Sequence, residues 1–403
     1  MPVDLTKLPQ PLPPLQKFSG WFWAMLLFAF VVAGGLITLI VSFFYSLSDL
    51  LLILCAVVVP IGLWVFSLLY GIYYRGYREA YIKQWNINRN GRREHLIDYA
   101  RRGLYVLSHS VLTRYGESGN ANGVTSNSYS INGDNFGNDN ELISYKQQKS
   151  YLDITPSNFD ARLEALFIQW CNEYQSLLTA LPNNLQIHVR LFIETPTKIE
   201  NIEALWQRTF GKLICPASIM VNSPCRGTLF TQVWLDNSDY DDDLLLLINA
   251  RLFAFPIKND AEEALIMLLA GEQAIKKLTE VVNTDKIAKI YRSEQTGELA
   301  KTLDHALLWG AKHSASYDGV WYSGISTQQN IDIMNYFNQI EFDPGSIFNI
   351  DTTIGNAKHS AYFFALALAV EHTLSTGNKQ LIVVGEPDIT ASVVATITNN
   401  NQK

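Results

Sequence analysis

Cysteine and histidine are the side chains from which a nucleophilic or metal site is most readily built. This chain has four cysteines and seven histidines in 403 residues. A thiolate acts as nucleophile or ligand only where its surroundings lower its pKa. Structural zinc needs Cys or His in closely spaced pairs, and here there is no CxxC and no His pair at metal spacing. No metal site is expected. There is also no Walker loop and no GxGxxG, so nothing in the motifs points to a nucleotide or another cofactor. The net charge of −7 with 17% charged residues argues against a nucleic-acid binder and against a disordered chain. Cys225 stands in SIMVNSPCRG, after a strand-like run, whereas Cys55 lies in an uncharged apolar stretch.

The elements that would hold such a site divide the chain into four parts. Residues 1–19 form a leader with Pro9, Pro11, Pro13 and Pro14, expected to be extended and solvated. Residues 20–74 contain two runs without charge, Gly20 to Tyr45 and Leu50 to Tyr74, each reaching the ~20 residues a helix needs to cross a bilayer. Only Ser46 to Asp49 separates them, so they read as a transmembrane hairpin. Pro60 is expected to kink the second span, and Gly34 and Gly35 to allow close helix approach. Trp21, Trp23, Tyr45, Tyr73 and Tyr74 suit the interfacial aromatic belts. A buried soluble hairpin and a cleaved signal peptide fit less well. The first run is long for a signal peptide, its positive start is weak, and a second span follows directly.

Residues 75–102 read as a basic helical stalk carrying Arg75, Arg78, Lys83, Arg89, Arg92 and Arg93. With Lys7 and Lys17 before the hairpin and no Lys or Arg in its turn, both chain ends are expected in the cytoplasm, of a bacterial inner membrane. Residues 1–102 hold ten Lys/Arg against five Asp/Glu, net +5, which leaves −12 for residues 103–403. A basic neck at an anionic lipid surface and an acidic body in the cytosol are electrostatically consistent. Disulfides are rare in that compartment.

In residues 103–403, strand patterns are expected at 104–113, 185–193, 218–222, 231–235, 244–255, 263–269, 319–324, 380–384 and 392–397. Helices are expected at 158–181, 199–210, 298–309, 328–337 and 360–374. The stretch 117–150, rich in Asn, Ser and Gly, reads as an exposed loop. The run HSAYFFALALAVEHTL is apolar on every side yet too short to span a bilayer, so it belongs at the centre of a domain between sheets. LLLLINARLF with EEALIMLLAG, and QLIVVGEPD with ASVVATIT, form a faint internal repeat. The pattern is that of an α/β protein with covered sheets and a duplicated half.

TTIGNAKHSAYFFALALAVEHTLSTGNKQLIVVGE resembles the C-terminal half of the thiolase and ketoacyl synthase fold, and LYVLSHSVLTRYG resembles its opening strand. The resemblance covers residues 103–399 and implies a layered α-β-α-β-α body. It further implies a cysteine nucleophile at a helix N-terminus with two histidines, or a histidine and an asparagine. Cys225 suits the nucleophile in spacing, Asn356 matches the family's asparagine, and His359 is a possible substitute for the histidine. Ser323 or Thr327 stands where that histidine is expected, and neither is a base at neutral pH. The sequence after Cys225 reads as strand and acidic loop, which removes the helix dipole that lowers a thiol pKa. No intact catalytic site is therefore expected.

Two functions remain. One is a non-catalytic, membrane-tethered adaptor on a degenerate enzyme fold; its layout resembles the accessory or immunity proteins of type VI secretion effectors, with the bilayer and a secreted protein as partners and homodimerisation through the body possible. The other is a condensing or acyl-transfer enzyme using Cys225. A channel or transporter is a weaker third reading, because neither span carries an intramembrane charge.

Overall fold

The computed structural model describes residues 3–17, 19–45, 48–131, 133–136, 145–148, 150, 152–154, 158–194, 199–224, 227–253, 260–278, 287–310, 317–385 and 388–397. The chain divides into two compact units, Asp4–Leu96 and a body from Ile97 onward.

In the first unit, α1 (Gly20–Phe44) is followed by α2 (Asp49–Ile53), a π-helical turn (Leu54–Val58) and α3 (Val59–Ala100). The last three run on as one helix, and both rods are long and apolar enough to cross a membrane. Pro60 has no N–H to donate, and the widened turn just before it is the local adjustment that follows. Gly34 meets Pro60 so closely that an added Cβ would lie 2.1 Å from its Cγ, whereas Gly35 faces open space. Gly71 packs on Trp23 in the same way, and Trp64 Nε1 donates to the Trp23 carbonyl at 2.9 Å. The leader is extended but not simply solvated. Asn86 pairs with both the N–H and the carbonyl of Leu12 at 2.9 and 3.0 Å, and Arg89 Nε donates to the Pro9 carbonyl at 2.7 Å. A proline-rich strand cannot satisfy its own carbonyls, so a neighbouring helix with polar side chains takes them up.

The body holds β1 (Gly103–Leu112), α4 (Asn120–Thr125), a hairpin of β2 (Gly133–Phe136) and β3 (Tyr145–Gln148), α5 (Phe159–Ala180), β4 (Ile187–Glu194), α6 (Ile199–Arg208), β5 (Ser218–Asn222), α7 (Phe230–Leu235), β6 (Leu244–Arg251) and β7 (Glu263–Ala270). There follow α8 (Ala274–Leu278), β8 (Ile287–Tyr291), α9 (Leu299–Gly310), β9 (Tyr317–Ser323), α10 (Thr327–Gln339), β10 (Ser346–Asn349), α11 (Ile350–Thr353), α12 (Ala361–Thr376), β11 (Lys379–Val384) and β12 (Thr390–Ile397). Ten strands share one sheet in the order β10-β9-β11-β12-β8-β1-β7-β6-β4-β5. Counted in chain order within each half, both halves read third, second, fourth, fifth, first. In each, the first three strands from the edge are parallel and the next runs against them. The halves meet where Gly103–Val106 pairs antiparallel with Ala288–Tyr291. The faint repeat of the sequence corresponds to β6-β7 and β11-β12.

Alternation along the strands separates the layers. Leu245 and Leu247 of β6 and Ile382 and Val384 of β11 join α12 in a central cluster. Leu244, Leu246 and Ile248 face outward onto α5 and α6, while Leu381 and Val383 face α9 and α10. The two half-sheets thus enclose α12 and are each covered outside by helices, giving the layered, duplicated α/β body expected, with the half-sheets joined into one ladder. Every residue of α12 from Ala361 to Val370 is buried.

Two expectations are corrected, and one strand is added. The 231–235 segment is helix α7, not strand, because Phe230, Thr231, Trp234 and Leu235 share a buried helical face. Strand β8 had no counterpart among the expected elements, and its Lys289 is buried beside the rings of Tyr105 and Tyr291. Within 117–150, α4 is not exposed loop: Asn120, Ala121, Gly123 and Val124 are buried, and Glu371 of α12 accepts from the N–H of Gly119 and Ala121.

Candidate functional site

The residues singled out by sequence fall near the head of α12, where parallel strands β4, β6 and β9 end. Asn349 caps α11, and the chain then turns through Gly355, at φ +123° and pressed against Ala261, into Asn356 and the turn Lys358–Ser360. Only glycine adopts that backbone without strain. The Asn356 carbonyl accepts from Ala261 N–H at 2.9 Å and from Arg251 Nη1 at 3.0 Å. Its side-chain oxygen accepts from Lys358 N–H at 2.6 Å, and its amide nitrogen donates to Asp351 at 3.4 Å. Asn356 therefore closes the turn with both ends of its side chain.

Asp351 is the hub beside it. Its two oxygens accept from Ser323 Oγ at 2.6 Å and from Gly324 N–H at 2.8 Å. This fixes the end of β9, where the resemblance calls for a histidine. Ser323 is buried and committed to a carboxylate; Thr327 is exposed at the start of α10; His359 is exposed on the turn before α12. The structure brings Ser323 and Asn356 together through Asp351 and leaves Thr327 and His359 at the surface. Cys225 lies outside the described residues. Downstream of it, Gly227 is wedged against Phe192 and Phe363, and α7 is six residues long.

Sequence reasoning missed the polar layer beneath this turn. Asn249 of β6 donates to Glu263 of β7 and accepts from Ser360 Oγ at 3.3 Å. Burial pushes the Glu263 carboxyl up to about 8, against the pull of hydrogen bonds from Ser360 and Asn249 and of Arg251. Glu263 is thus a neutral acid at pH 7. Arg251 binds Asp260 at 2.8 Å and lies 3.1 Å from Glu194. The signal was available: Asn249 and Arg251 continue the inward phase of Leu245 and Leu247. On the other face, Glu262 is fully engaged, accepting from both Arg162 Nη atoms at 2.8 and 2.6 Å and from the N–H of Leu152 and Phe253. Among the described residues, no group of three or more His, Cys, Asp or Glu is placed to hold a metal ion.

No protein-family model and no curated protein matches the chain. Solved structures do. The ishigamide ketosynthase/chain length factor is similar at 11% identity and TM-score 0.48, over 73% of this chain and 99% of that one. A Xanthomonas campestris OleA variant matches at 10% and 0.42, over 73% and 98%. The 3-oxoacyl-(acyl carrier protein) synthase III, FabH, of Xanthomonas oryzae matches at 10% and 0.42, over 73% and 99%.

Proposed function

We propose that the chain is a membrane-anchored binding protein that uses a thiolase-like body as a docking scaffold and performs no condensation. The observation that carries this reading is the occupied histidine position. Ser323 and Gly324 are both bonded to Asp351, so the side chain standing where a histidine is expected is a hydroxyl already committed to a carboxylate. A thiol without a base or a long helix behind it is not held as thiolate. The partner expected is a secreted effector protein of a type VI system or a component of that system, with the chain acting as adaptor or immunity factor; a second copy of the chain is a further partner.

Both ends are assigned to the cytoplasm of the inner membrane. The leader's bonds to Asn86 and Arg89 support a common side for the segments before the first span and after the second, and the Lys and Arg that follow the second span assign that side to the cytoplasm. Reporter fusions at residue 47 and at residue 403 test the topology; a periplasmic signal from the C-terminal fusion refutes it. Co-purification from native membranes tests the function: one stoichiometric protein partner is expected. Recovery instead of a phosphopantetheine carrier, with product formation lost in Cys225→Ala, would establish the second reading, an acyl-transfer enzyme at the bilayer. That reading draws on Asn356 at the head of α12 and the neutral Glu263 beneath it.

A further inference from the structure

The opposite end of the first half-sheet holds a group of side chains with a different chemistry. At the start of β4 and β5, His188 and Ser218 are register partners on neighbouring parallel strands, and Asp243 immediately precedes β6. Ser218 Oγ lies 2.8 Å from His188 Nδ1, and His188 Nε2 lies 3.1 Å from Asp243 Oδ2. Arg190 Nη1 donates to the same Ser218 Oγ at 3.1 Å.

We propose that Ser218, His188, Asp243 and Arg190 form a nucleophilic serine site that takes the acyl group of small activated carboxylic esters. The two ends of the chain of bonds dictate the proton positions. A guanidinium only donates and a carboxylate only accepts. Asp243 accepts, so His188 Nε2 carries the ring proton of the neutral imidazole, and its Nδ1 accepts from Ser218 Oγ, which in turn receives Arg190. This is the order nucleophile, base, orienting acid. The two imidazole nitrogens are exchanged relative to the serine protease arrangement. The chemistry requires only that base and orienting contact lie on opposite nitrogens. Arg190 places a cation beside the oxygen where negative charge develops during attack. The imidazole is held by the rings of Trp234 and Tyr240, with centroids at 5.5 and 4.9 Å. Ser218 is half-buried on edge strand β5, and Met220, two residues along on the same face, is 46% exposed, so a small ester can approach from the sheet edge.

The other half contains the pair without the nucleophile. His372 Nε2 lies 3.1 Å from Asp318 and is seated against Trp321 and Phe348. Among the described residues no hydroxyl bonds to its ring. A buried His–Asp pair alone therefore serves packing, and the first half adds both a serine and an arginine to it.

In the reaction, Ser218 Oγ bonds to the carbonyl carbon as its proton moves to His188 Nδ1. The bond to the leaving group breaks as that group takes the proton. Water, deprotonated by the same nitrogen, then releases the carboxylic acid and restores the serine. The site shares no residue with the Asn356 region, so its failure would leave the docking reading untouched.

The test uses the full chain in detergent with a fluorophosphonate, whose P–F bond breaks as Oγ–P forms, the serine proton leaving as HF. An adduct on the Ser218 peptide is expected, absent in Ser218→Ala and in heat-unfolded protein, and slowed about 100-fold in His188→Gln. No adduct on natively folded protein, or equal labelling in His188→Gln, overturns the proposal. Ser218→Cys decides the matter if His188→Gln does not fold. Its thiol should react with iodoacetamide at pH 7 about tenfold faster than the exposed Cys215 of the same molecule, through transfer of its proton to His188; reaction slower than Cys215 overturns the proposal.

Discussion

Between β10 and β11 the second half winds α11 and then the sixteen residues of α12, of which Ala361–Val370 are all buried. Between β5 and β6, the same place in the strand order, the described residues of the first half form the six residues of α7 and a 3-10 turn, Ser238–Asp242. The sequence explains the asymmetry. Asp236, Asp239, Asp241, Asp242 and Asp243 follow α7 directly, and carboxylates at a helix C-terminus oppose its dipole. Four of them bind cations or an imidazole instead: Asp236 with Arg292, Asp241 with Arg102, Asp242 with Lys277 and Asp243 with His188. One half thus supplies the central helix for both. The other spends the equivalent segment on polar anchoring, and with it loses a long helix behind the segment that carries Cys225.

The sharpest way to break this comparison is to cut each central helix. Phe363 of α12 stacks on Phe192 and Phe230 of the first half at 4.7 and 5.8 Å. Phe363→Ala should cost about 3–5 kcal/mol in urea unfolding. Val233 of α7 is 69% exposed, and Val233→Ala should stay within about 0.5 kcal/mol. Equal effects would mean that both helices hold the core.

The next effect is a pH dependence confined to the first half. The folded pKa of Glu263, about 8, lies above its unfolded value of 4.5, so the unfolded chain loses its proton first. This contribution is fully present below pH 4.5 and disappears as pH rises to about 8. Melting temperatures should fall between about pH 6.5 and 8, and Glu263→Gln should flatten the fall. His109 on β1 acts in the opposite direction, since burial lowers its imidazole from 6.5 to about 4. Its contribution is lost as pH falls through that interval, so the two groups offset each other between about pH 4.5 and 6.5. A melting temperature that rises between pH 7 and 9 would contradict the assignment of Glu263.

The smallest effect concerns Cys225. With only a short helix after it, the thiol is expected to behave as a small apolar group. Cys225→Ala should cost about 1 kcal/mol and leave biological function intact. Fast selective alkylation of Cys225 by iodoacetamide at neutral pH, or loss of function at normal protein levels, would favour the acyl-transfer reading instead.

The site was less legible than the fold. Asn356 and Ser323 were reached through the resemblance, as the counterpart of the family's asparagine and as a residue standing where its histidine is expected. Asp351, which joins them, had no signal of its own in an Asn-Ile-Asp-Thr-Thr stretch. Glu263 and Asn249 sit in runs so apolar that their polarity was overlooked, although the period-2 phase places them inward. His188, Ser218 and Asp243 are separated by 30 and 25 residues in the chain, and only parallel register brings them into contact.

Patterns that act locally were decided by the sequence itself. Uncharged runs of transmembrane length, the basic stretch after them, the acidic remainder and an all-round apolar helix each follow from burying or solvating a side chain where it stands. So does most of the strand and helix order, since period 2 and period 3.6 are properties of neighbouring residues. What only the tertiary structure decided depends on partners distant in sequence. Strand β8 is too short and too charged to announce itself, and it exists because β1 and β12 pair with it and aromatic rings cover Lys289. The joining of two half-sheets into one, the neutral Glu263 and the Ser218–His188–Asp243 contacts arise in the same way. Each is fixed by long-range pairing that removes water from a group, and removal of water is a property of the assembled core rather than of any segment.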